Sequence, residues 1–281
     1  MSVLEIKNLK KVYISGQRVL KKINFKTESG EVLSVIGPNG AGKTTTIKSI
    51  MKIIGYSGEI FYNGKVITVS DVIKDFVYLP ENKELYESYR VNDLIWMFSE
   101  TDKRIDSDTL IKDLKNNGID IYKRVRKLSN GQKSLLYILT VLNTEASVYL
   151  LDEPLNSLDP IIRNDVIKRI RKLSYQDKII IYTSHILSDV ETISDRVVIL
   201  NNGKILEDDY LDNIKSKYSA VCTGNQTGDF IKNSFFSYNI NENEYIYYFR
   251  DYSDYPENSE KINISFEDIF NALIRGDKNV L

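Results

Sequence analysis

Hydrophobic and polar residues follow a two-residue period early in the chain and form longer apolar runs later. In residues 3–9 and 20–25 apolar and polar residues largely alternate, which predicts strands with one buried face. Residues 148–151 and 179–182 are continuously apolar, which is typical of strands in a parallel sheet covered on both faces. The pattern therefore predicts an α/β fold with an antiparallel layer beside a buried, mostly parallel sheet.

Turn residues and short apolar runs predict further strands. Asn63-Gly64 can supply the two positive φ angles of a type I′ turn, so residues 60–67 are predicted to form a hairpin. Residues 76–79 form another short apolar run that ends at a proline, and residues 196–206 have the pattern of a closing hairpin. These strands extend the two predicted sheets.

Helical periodicity predicts the segments between the strands. One helix follows the first glycine-rich segment and should end at Gly55, and residues 86–143 are helical in pattern throughout. A further helix lies between the two continuous apolar runs. The apolar faces of the first and last of these helices are formed by Ile47, Ile50, Met51 and Ile54, and by Val166, Ile167, Ile170 and Leu173.

The composition of the chain changes after about residue 214. Residues 218–255 include seven tyrosines among many asparagines and acidic residues. These tyrosines form either a base-stacking surface or the amphipathic covering of a small sheet, and the absence of a basic groove favours the covering. An amphipathic helix follows, with Ser265 as its N-cap. Its apolar face is formed by Phe266, Ile269, Phe270, Leu273 and Ile274.

A glycine-rich segment after the apolar run 32–36 suggests a specific chemistry. Gly37, Gly42, Lys43 and Thr44 fit the spacing G-x-x-x-x-G-K-[ST] of a phosphate-binding loop. Glycines let backbone N–H groups turn toward an anion, and the next helix directs its positive N-terminal end there. Lys43 would reach the β- and γ-phosphates, and the Thr44 hydroxyl would ligate Mg²⁺. The alternative is an ordinary strand–turn–helix, but the motif predicts binding of a nucleoside triphosphate.

Two further motifs contain candidate catalytic and anion-binding residues. Asp152 at the end of an apolar run can hold Mg²⁺ through a water, and Glu153 can orient and deprotonate an attacking water. The sequence Leu-Ser-Asn-Gly-Gln precedes an apolar helix, so Ser129 and the N–H groups around Gly131 form a second helix-terminus anion site. Two such sites and one nucleotide are most simply explained if the second site serves a neighbour's nucleotide.

Composition excludes several classes of protein. The 281 residues are 42% apolar and 27% charged with a net charge of −1, so we expect no general attraction to nucleic acid or anionic lipid. Cys222 is the only cysteine and His185 the only histidine, which excludes an intrachain disulfide and any histidine-rich metal site and suits a reducing compartment. Because no run is apolar enough for a signal peptide or a bilayer span, a membrane connection would require a partner protein.

Taken together, the motifs of residues 1–210 resemble those of the ATP-binding subunit of an ABC transporter. Gly-Pro-Asn-Gly-Ala-Gly-Lys-Thr resembles the family's phosphate loop, and Leu-Ser-Asn-Gly-Gln takes the place of its LSGGQ signature. Tyr-Leu-Leu-Asp-Glu-Pro resembles the segment with the magnesium-linked aspartate and the catalytic glutamate. Ser-Leu-Asp at 157–159 resembles the loop across the dimer contact, and Thr-Ser-His at 183–185 resembles the γ-phosphate switch.

The resemblance implies a role for each matching residue. Glu153, His185 and Lys43 would be catalytic, and Thr44, Asp152 and Glu81 would bind Mg²⁺. ATP would contact Tyr13, which matches an adenine-stacking aromatic residue, the phosphate-loop residues Gly37, Pro38, Asn39, Gly40, Ala41, Gly42, Lys43, Thr44 and Thr45, and also Glu81, Ser129, Gly131, Gln132 and Asp159.

Three positions depart from the family pattern. Glu81 stands where most members have a glutamine, and a glutamate there resembles the branch that exports drugs, peptides or antibiotics. Asn130 replaces a signature glycine, and we expect it to preserve the turn because asparagine tolerates positive φ. Leu135 stands where an arginine is usual. The C-terminal segment 265–273 also resembles the appendage of the exporting branch.

We therefore predict an α/β fold with a P-loop ATPase core, an antiparallel β subdomain and a helical subdomain at about 86–145. The ATP-binding domain would span residues 1–214, and residues 215–281 would form a small appendage. As the resemblance implies, this ATPase would work at the inner, cytoplasmic face of the cell membrane. Its partners would be a separately encoded membrane permease and a second copy of itself or a homologous ATPase, with no nucleic acid.

Two rival functions follow from the same motifs. The first is an ABC ATPase of translation or DNA repair, but such proteins carry two cassettes or a long coiled coil, and the segment between Glu81 and Leu128 leaves no room for one. The second is a degenerate cassette that binds ATP only as a scaffold, and the presence of Glu153 and His185 argues against it.

Overall fold

Strands and helices alternate along most of the chain. The computed structural model describes residues 1–224, 232–241, 244–251 and 260–277. The strands are β1 (Val3–Val12), β2 (Arg18–Glu28), β3 (Val32–Ile36), β4 (Ser57–Tyr62), β5 (Lys65–Val66), β6 (Phe76–Leu79), β7 (Val148–Asp152), β8 (Ile179–Ser184), β9 (Arg196–Asn201), β10 (Lys204–Tyr210), β11 (Tyr218–Thr223), β12 (Phe236–Asn241), β13 (Glu244–Arg250) and β14 (Glu260–Ile262). The helices are α1 (Lys43–Ile50), α2 (Val69–Asp75), α3 (Val91–Thr101), α4 (Ser107–Asn116), α5 (Asn130–Leu142), α6 (Pro160–Ser174), α7 (Leu187–Ile193), α8 (Leu211–Lys217) and α9 (Phe266–Gly276).

A six-stranded sheet in the order β10-β9-β3-β8-β7-β6 forms the centre of the fold. Neighbouring strands from β9 to β6 are parallel, and only β10 is antiparallel to its neighbour. Every residue of β3, β7 and β8 is buried, as their continuous apolar runs predict. Because parallel strands end at one edge, the residues after β3, β7 and β8 lie close together there. The predicted P-loop α/β fold is thus confirmed.

A second, antiparallel sheet has the order β2-β1-β4-β5. Its β4–β5 turn contains Asn63 with φ 51° and Gly64 with φ 76°, the two left-handed positions of the predicted turn. Helix α1 ends at Ile50 and not at Gly55, because Lys52 takes a left-handed φ of 54° that the helix cannot continue through. The predicted end of that helix was therefore wrong by about one turn.

Helices α3, α4 and α5 lie between β6 and β7, where the sequence predicts a helical segment. Their buried side chains join the large apolar cluster on one face of the central sheet, together with α6 and α7. Backbone hydrogen bonds tie the start of α3 to the segment before α5, for example from Asn92 N–H to Ile121 O at 2.8 Å. The helical segment is thus anchored to the sheet through its core residues.

A four-stranded antiparallel sheet in the order β12-β13-β11-β14 follows the central sheet in the chain. Tyr218, Tyr247 and Tyr248 are buried on it, so these tyrosines cover a small sheet, which is the alternative that the composition favours. Tyr252 and Tyr255 lie outside the described residues. Helix α9 begins with the predicted cap, because Ser265 Oγ accepts a hydrogen bond from Asp268 N–H at 3.1 Å. The division into domains at residue 214 stays a prediction.

Across residues 1–224 and the three later described ranges, the helices are too short or too polar to cross a bilayer.

Candidate active site

The glycine-rich loop joins β3 to α1 and encloses the amino group of Lys43. Lys43 Nζ donates to the carbonyl oxygens of Gly37 at 2.8 Å and Pro38 at 3.5 Å. Gly42 precedes α1 with φ 113°, and a Cβ there would lie 2.6 Å from Leu20 Cδ2, so only glycine fits. The loop therefore presents a cation and the N-terminus of a helix at one point, which is an arrangement suited to phosphate.

A cavity of about 360 Å³ lies over this loop. It brings together the predicted residues Asn39, Gly40, Ala41, Gly42, Lys43, Thr44, Thr45, Glu81 and Glu153. Gln17 and Val19 also line it, although no sequence motif marks them. They reach the loop because β2 packs over it, as shown by the close approach of Val19 O to the Cβ position of Gly42 at 3.4 Å.

Asp152 and Glu153 follow one another at the end of β7 but have different surroundings. Asp152 is fully buried and accepts hydrogen bonds from Thr183 Oγ1 at 2.6 Å and Tyr78 Oη at 3.4 Å. Burial and the nearby Asp152 carboxylate together raise the pKa of Tyr78, so the phenol keeps its proton and donates. Glu153 N–H donates to Thr183 Oγ1 at 3.1 Å, so one threonine holds both acidic residues.

Glu153 lies between the two other predicted catalytic residues. Its Oε1 is 3.8 Å from Lys43 Nζ, and its Oε2 is 2.9 Å from His185 Nδ1. Oε2 is buried, and no donor among the described residues makes a hydrogen bond of good geometry to it. Burial lowers the pKa of Lys43, while Glu153, Asp152 and Glu81 oppose that shift.

A second lysine, Lys83, lies beside the same carboxylates. Its Nζ donates to the backbone oxygen of Glu153 at 3.2 Å and to that of Glu81 at 3.4 Å. No sequence motif marks Lys83, because a lysine in a polar segment resembles any solvated loop residue. Its position two residues after Glu81 is the only signal the sequence offers.

The signature residues lie apart from the cavity. Ser129 caps α5 and exchanges hydrogen bonds with Gln132, from Gln132 N–H to Ser129 Oγ at 3.2 Å and from Ser129 N–H to Gln132 Oε1 at 3.1 Å. A Cβ on Gly131 would be 3.1 Å from Ser157 O, so the signature adjoins the loop at 157–159. Asp159 caps α6 by accepting from Ile161 N–H at 3.1 Å. None of these four predicted residues lines the cavity of its own chain.

Asn130 and Leu135, two of the residues that depart from the family pattern, lie in ordinary structural environments. Asn130 is the first residue of α5, and its φ is not positive, so the helix begins there without using the tolerance of asparagine for positive φ. The first turn of a helix uses ordinary α-helical angles, which asparagine adopts. Leu135 is 2% exposed and packs in the large apolar cluster, as a leucine should.

Tyr13 lies in the turn between β1 and β2 and does not line the cavity. Its side chain is partly exposed, and Lys11 Nζ lies 4.9 Å from the ring centroid. Tyr13 N–H donates to the carbonyl of Gln17 at 3.0 Å, and Gln17 does line the cavity. The adenine contact of Tyr13 thus stays a prediction, although the residue is next to the cavity.

The side chains present fit Mg²⁺ bound together with a nucleotide. In the described parts of the chain, no group of three His, Cys, Asp or Glu side chains could hold a metal alone. Mg²⁺ in such sites is held by one or two protein ligands with phosphate and water supplying the rest. The buried carboxylates of Asp152 and Glu153 provide negative charge for this purpose, and Glu153 Oε2 accepts no hydrogen bond from the described residues. Thr44, Asp152 and Glu81 are the residues predicted to bind it.

The fold and the loop define a P-loop nucleotide-binding protein. The family model for "ABC transporter" matches residues 20–156. The chain is 31% identical over 222 residues to the uncharacterized ABC transporter ATP-binding protein YhcH of Bacillus subtilis, covering 77% of this chain and 72% of YhcH. It is 29% identical over 240 residues to the phosphonates import ATP-binding protein PhnC of Treponema denticola, covering 76% of this chain and 92% of PhnC.

Structural similarity leads to the same family. The solved structure of an ATP binding subunit of an ABC transporter superposes with a TM-score of 0.65 and 28% identity, covering 76% of this chain and 92% of that chain. The chain belongs to the ATP-binding proteins of ABC transporters, a family of ATPases. The predicted class of protein and its ATPase activity are thus confirmed.

Proposed function

We propose that this ATPase powers export of a drug-like, peptide or lipid-like substrate through a separately encoded membrane permease. It would act at the cytoplasmic face of the membrane, in a dimer with a second copy or a homologous ATPase. The observation that carries the proposal is an aromatic surface formed by Tyr86, Tyr89, Trp96 and Tyr122, which are respectively 62%, 46%, 66% and 66% exposed.

The aromatic surface lies on the helical segment that follows the active-site residue Glu81. Tyr86 and Tyr89 form an edge-to-face pair with ring centroids 5.9 Å apart. Trp96 lies on α3, which begins two residues after Tyr89. A hydrogen bond from Val125 N–H to Tyr89 O at 2.9 Å brings the segment with Tyr122 alongside. Exposed aromatic residues in a group indicate a protein contact, here the permease.

The chemistry we propose uses the three groups in contact around Glu153. When ATP binds, Lys43 Nζ would exchange its loop carbonyl contacts for phosphate oxygens. Glu153, whose Oε2 accepts no hydrogen bond from the described residues, would take the proton of the attacking water, and His185 would hold the γ-phosphate from the other side. Bound Mg²⁺ would neutralise phosphate charge, with Thr44 and Asp152 as its protein ligands.

The same proposal accounts for the separate position of the signature. Ser129 and Gly131 form the N-terminal end of α5, outside the cavity of their own chain. In a head-to-tail dimer, this helix end would face the phosphates bound by the partner. Negative phosphate would then lie between two helix N-termini, so ATP would join the subunits and hydrolysis would release them.

Membership of the family does not determine the direction of transport, since PhnC is an importer by name. Export is supported by the resemblance of Glu81 and of the C-terminal segment to the exporting branch. Glu81 lines the cavity beside Glu153, so the departure that carries this resemblance lies in the active site.

The test is reconstitution with the product of a neighbouring reading frame that has about six transmembrane helices. We expect the two proteins to co-purify, and vesicles containing both to move a labelled substrate away from the ATP side. Trp96→Ser with Tyr89→Ser should abolish co-purification while ATPase activity remains. The control is Tyr175→Ser, which removes an even more exposed aromatic residue (75%) from the end of α6.

Co-purification by the double variant as strong as that of wild type would refute the aromatic surface. Accumulation on the ATP side would refute export alone.

A further inference from the structure

Lys83 contacts the proposed general base through its backbone and not through its carboxylate. Lys83 Nζ donates to the carbonyl oxygen of Glu153 at 3.2 Å, across 70 residues of chain. The side chain is partly buried, and it also donates to the carbonyl of Glu81 at 3.4 Å. Lys83 therefore joins the segment after β6 to the residue after β7.

The hydrogen bond from Lys83 supports an unfavourable backbone conformation at Glu153. Its φ is +48°, in the left-handed region that a residue with a Cβ rarely adopts. The N–H of Glu153 donates to Thr183 Oγ1 at 3.1 Å, and its carbonyl accepts from Lys83. Because both polar groups of this residue are held, its φ and ψ angles are set, and with them the direction of its side chain.

The surroundings of Lys83 differ from those of Lys43. Lys43 lines the cavity over the phosphate loop, whereas Lys83 does not. Burial lowers the pKa of Lys83, while Asp152, Glu81 and Glu153 act in the opposite direction. The ammonium group of Lys83 thus lies at the Glu153 carbonyl, outside the cavity that Lys43 lines.

We infer that Lys83 is a positioning residue that holds Glu153 in its left-handed conformation and links it to the segment of Glu81. This inference rests on the proposed role of Glu153 as the base. The segment of Glu81 leads directly into the helical segment, so a displacement there would reach Glu153 through one side chain.

The first test compares steady-state ATP hydrolysis by wild type, Lys83→Met and Lys83→Arg. Loss of one hydrogen bond from a charged donor should lower kcat by about tenfold to a hundredfold in Lys83→Met. KM for ATP should change less than about twofold, because Lys83 does not line the cavity. Lys83→Arg should recover most of kcat, since a guanidinium also donates to carbonyls. Lys83→Gln replaces Lys83→Met if that variant does not fold.

The matched control is Lys178→Met. Lys178 is also a mostly buried lysine, with 18% of its side chain exposed, but it pairs with Glu145 at the opposite edge of the sheet. Its kcat should equal that of wild type. An unchanged kcat in Lys83→Met, or a raised KM with unchanged kcat, would overturn the inference.

The second test adds Lys83→Met to Glu153→Gln and measures single-turnover hydrolysis. If Lys83 acts through Glu153, the double variant should be no slower than Glu153→Gln. If Lys83→Met lowers the hydrolysis rate of Glu153→Gln by the same factor as that of wild type, Lys83 acts independently of Glu153 and the inference is overturned. Wild-type rates in Glu153→Gln itself would instead overturn the proposed base, so the two failures are distinguishable.

Discussion

Replacement of Glu153 by glutamine tests the proposed mechanism of ATP hydrolysis directly. The change keeps the size of the side chain and removes the negative charge 3.8 Å from Lys43 Nζ and 2.9 Å from His185 Nδ1. It therefore alters both the proposed proton acceptor and the ion pair that Lys43 makes in the absence of ATP.

The expected magnitudes follow from these two effects. Loss of a general base should lower hydrolysis by about two to four orders of magnitude. The attraction between unit charges at 3.8 Å is about 4 kcal/mol for an effective dielectric constant of about 20, as an upper bound. If about a third of it is lost when Lys43 turns to phosphate, its removal should tighten metal-free ATP binding about tenfold.

Two measurements are needed, phosphate release with Mg·ATP and equilibrium ATP binding in the presence of a chelator. The matched control is Glu145→Gln. Glu145 forms an exposed ion pair with Lys178 before β7 begins, whereas Glu153 follows the end of that strand. The two sites are separated by the length of β7, about 17 Å, so the control should change neither quantity.

Phosphate release at the wild-type rate from Glu153→Gln, in protein freed of other ATPases, would remove Glu153 as the base. Metal-free ATP affinity equal to that of wild type would show that the Lys43–Glu153 pair does not compete with the nucleotide. Because the two outcomes are independent, each refutes one part of the reasoning.

Three further predictions concern assembly, metal and acid stability. The Glu153→Gln protein should form a dimer with Mg·ATP. Adding Ser129→Arg should abolish this dimer, because the arginine would fill the space for the phosphates bound by the partner. A dimer of the double variant in sedimentation experiments would contradict the shared site. The Glu81→Gln variant should need a higher Mg²⁺ concentration for half-maximal activity. Its metal-free ATP binding should be equal or tighter, because one negative charge is lost. Superimposable Mg²⁺ titrations of the two proteins would show that Glu81 is a solvated residue without a role in metal binding. Hydrogen bonds, chiefly from Lys217, lower the pKa of Asp209 from 3.8 to about 2, so its stabilisation is complete above about pH 4 and is lost as pH falls toward 2. Asp209→Asn should therefore lose less stability over that interval in urea unfolding, and equal losses in both proteins would contradict this.

Local patterns were sufficient for most of the fold. Continuous apolar runs predicted the buried strands β7 and β8, and Asn63-Gly64 predicted its turn, because both depend on residues close in sequence. The predicted end of α1 was wrong because the residue types around Lys52 do not indicate its left-handed φ. Export, the dimer and the roles of individual residues stay predictions.

By itself, the sequence determined the phosphate loop, the strands of the central sheet, and the family. These depend on residue type and spacing along the chain, which a single sequence contains. Only the tertiary structure determined that Glu153 lies between Lys43 and His185, and that Lys83 reaches its backbone. Those residues come from segments after β3, β6, β7 and β8, and they meet only because parallel strands end at one edge of the sheet. Distances between such segments are set by strand order and register, which periodicity does not specify.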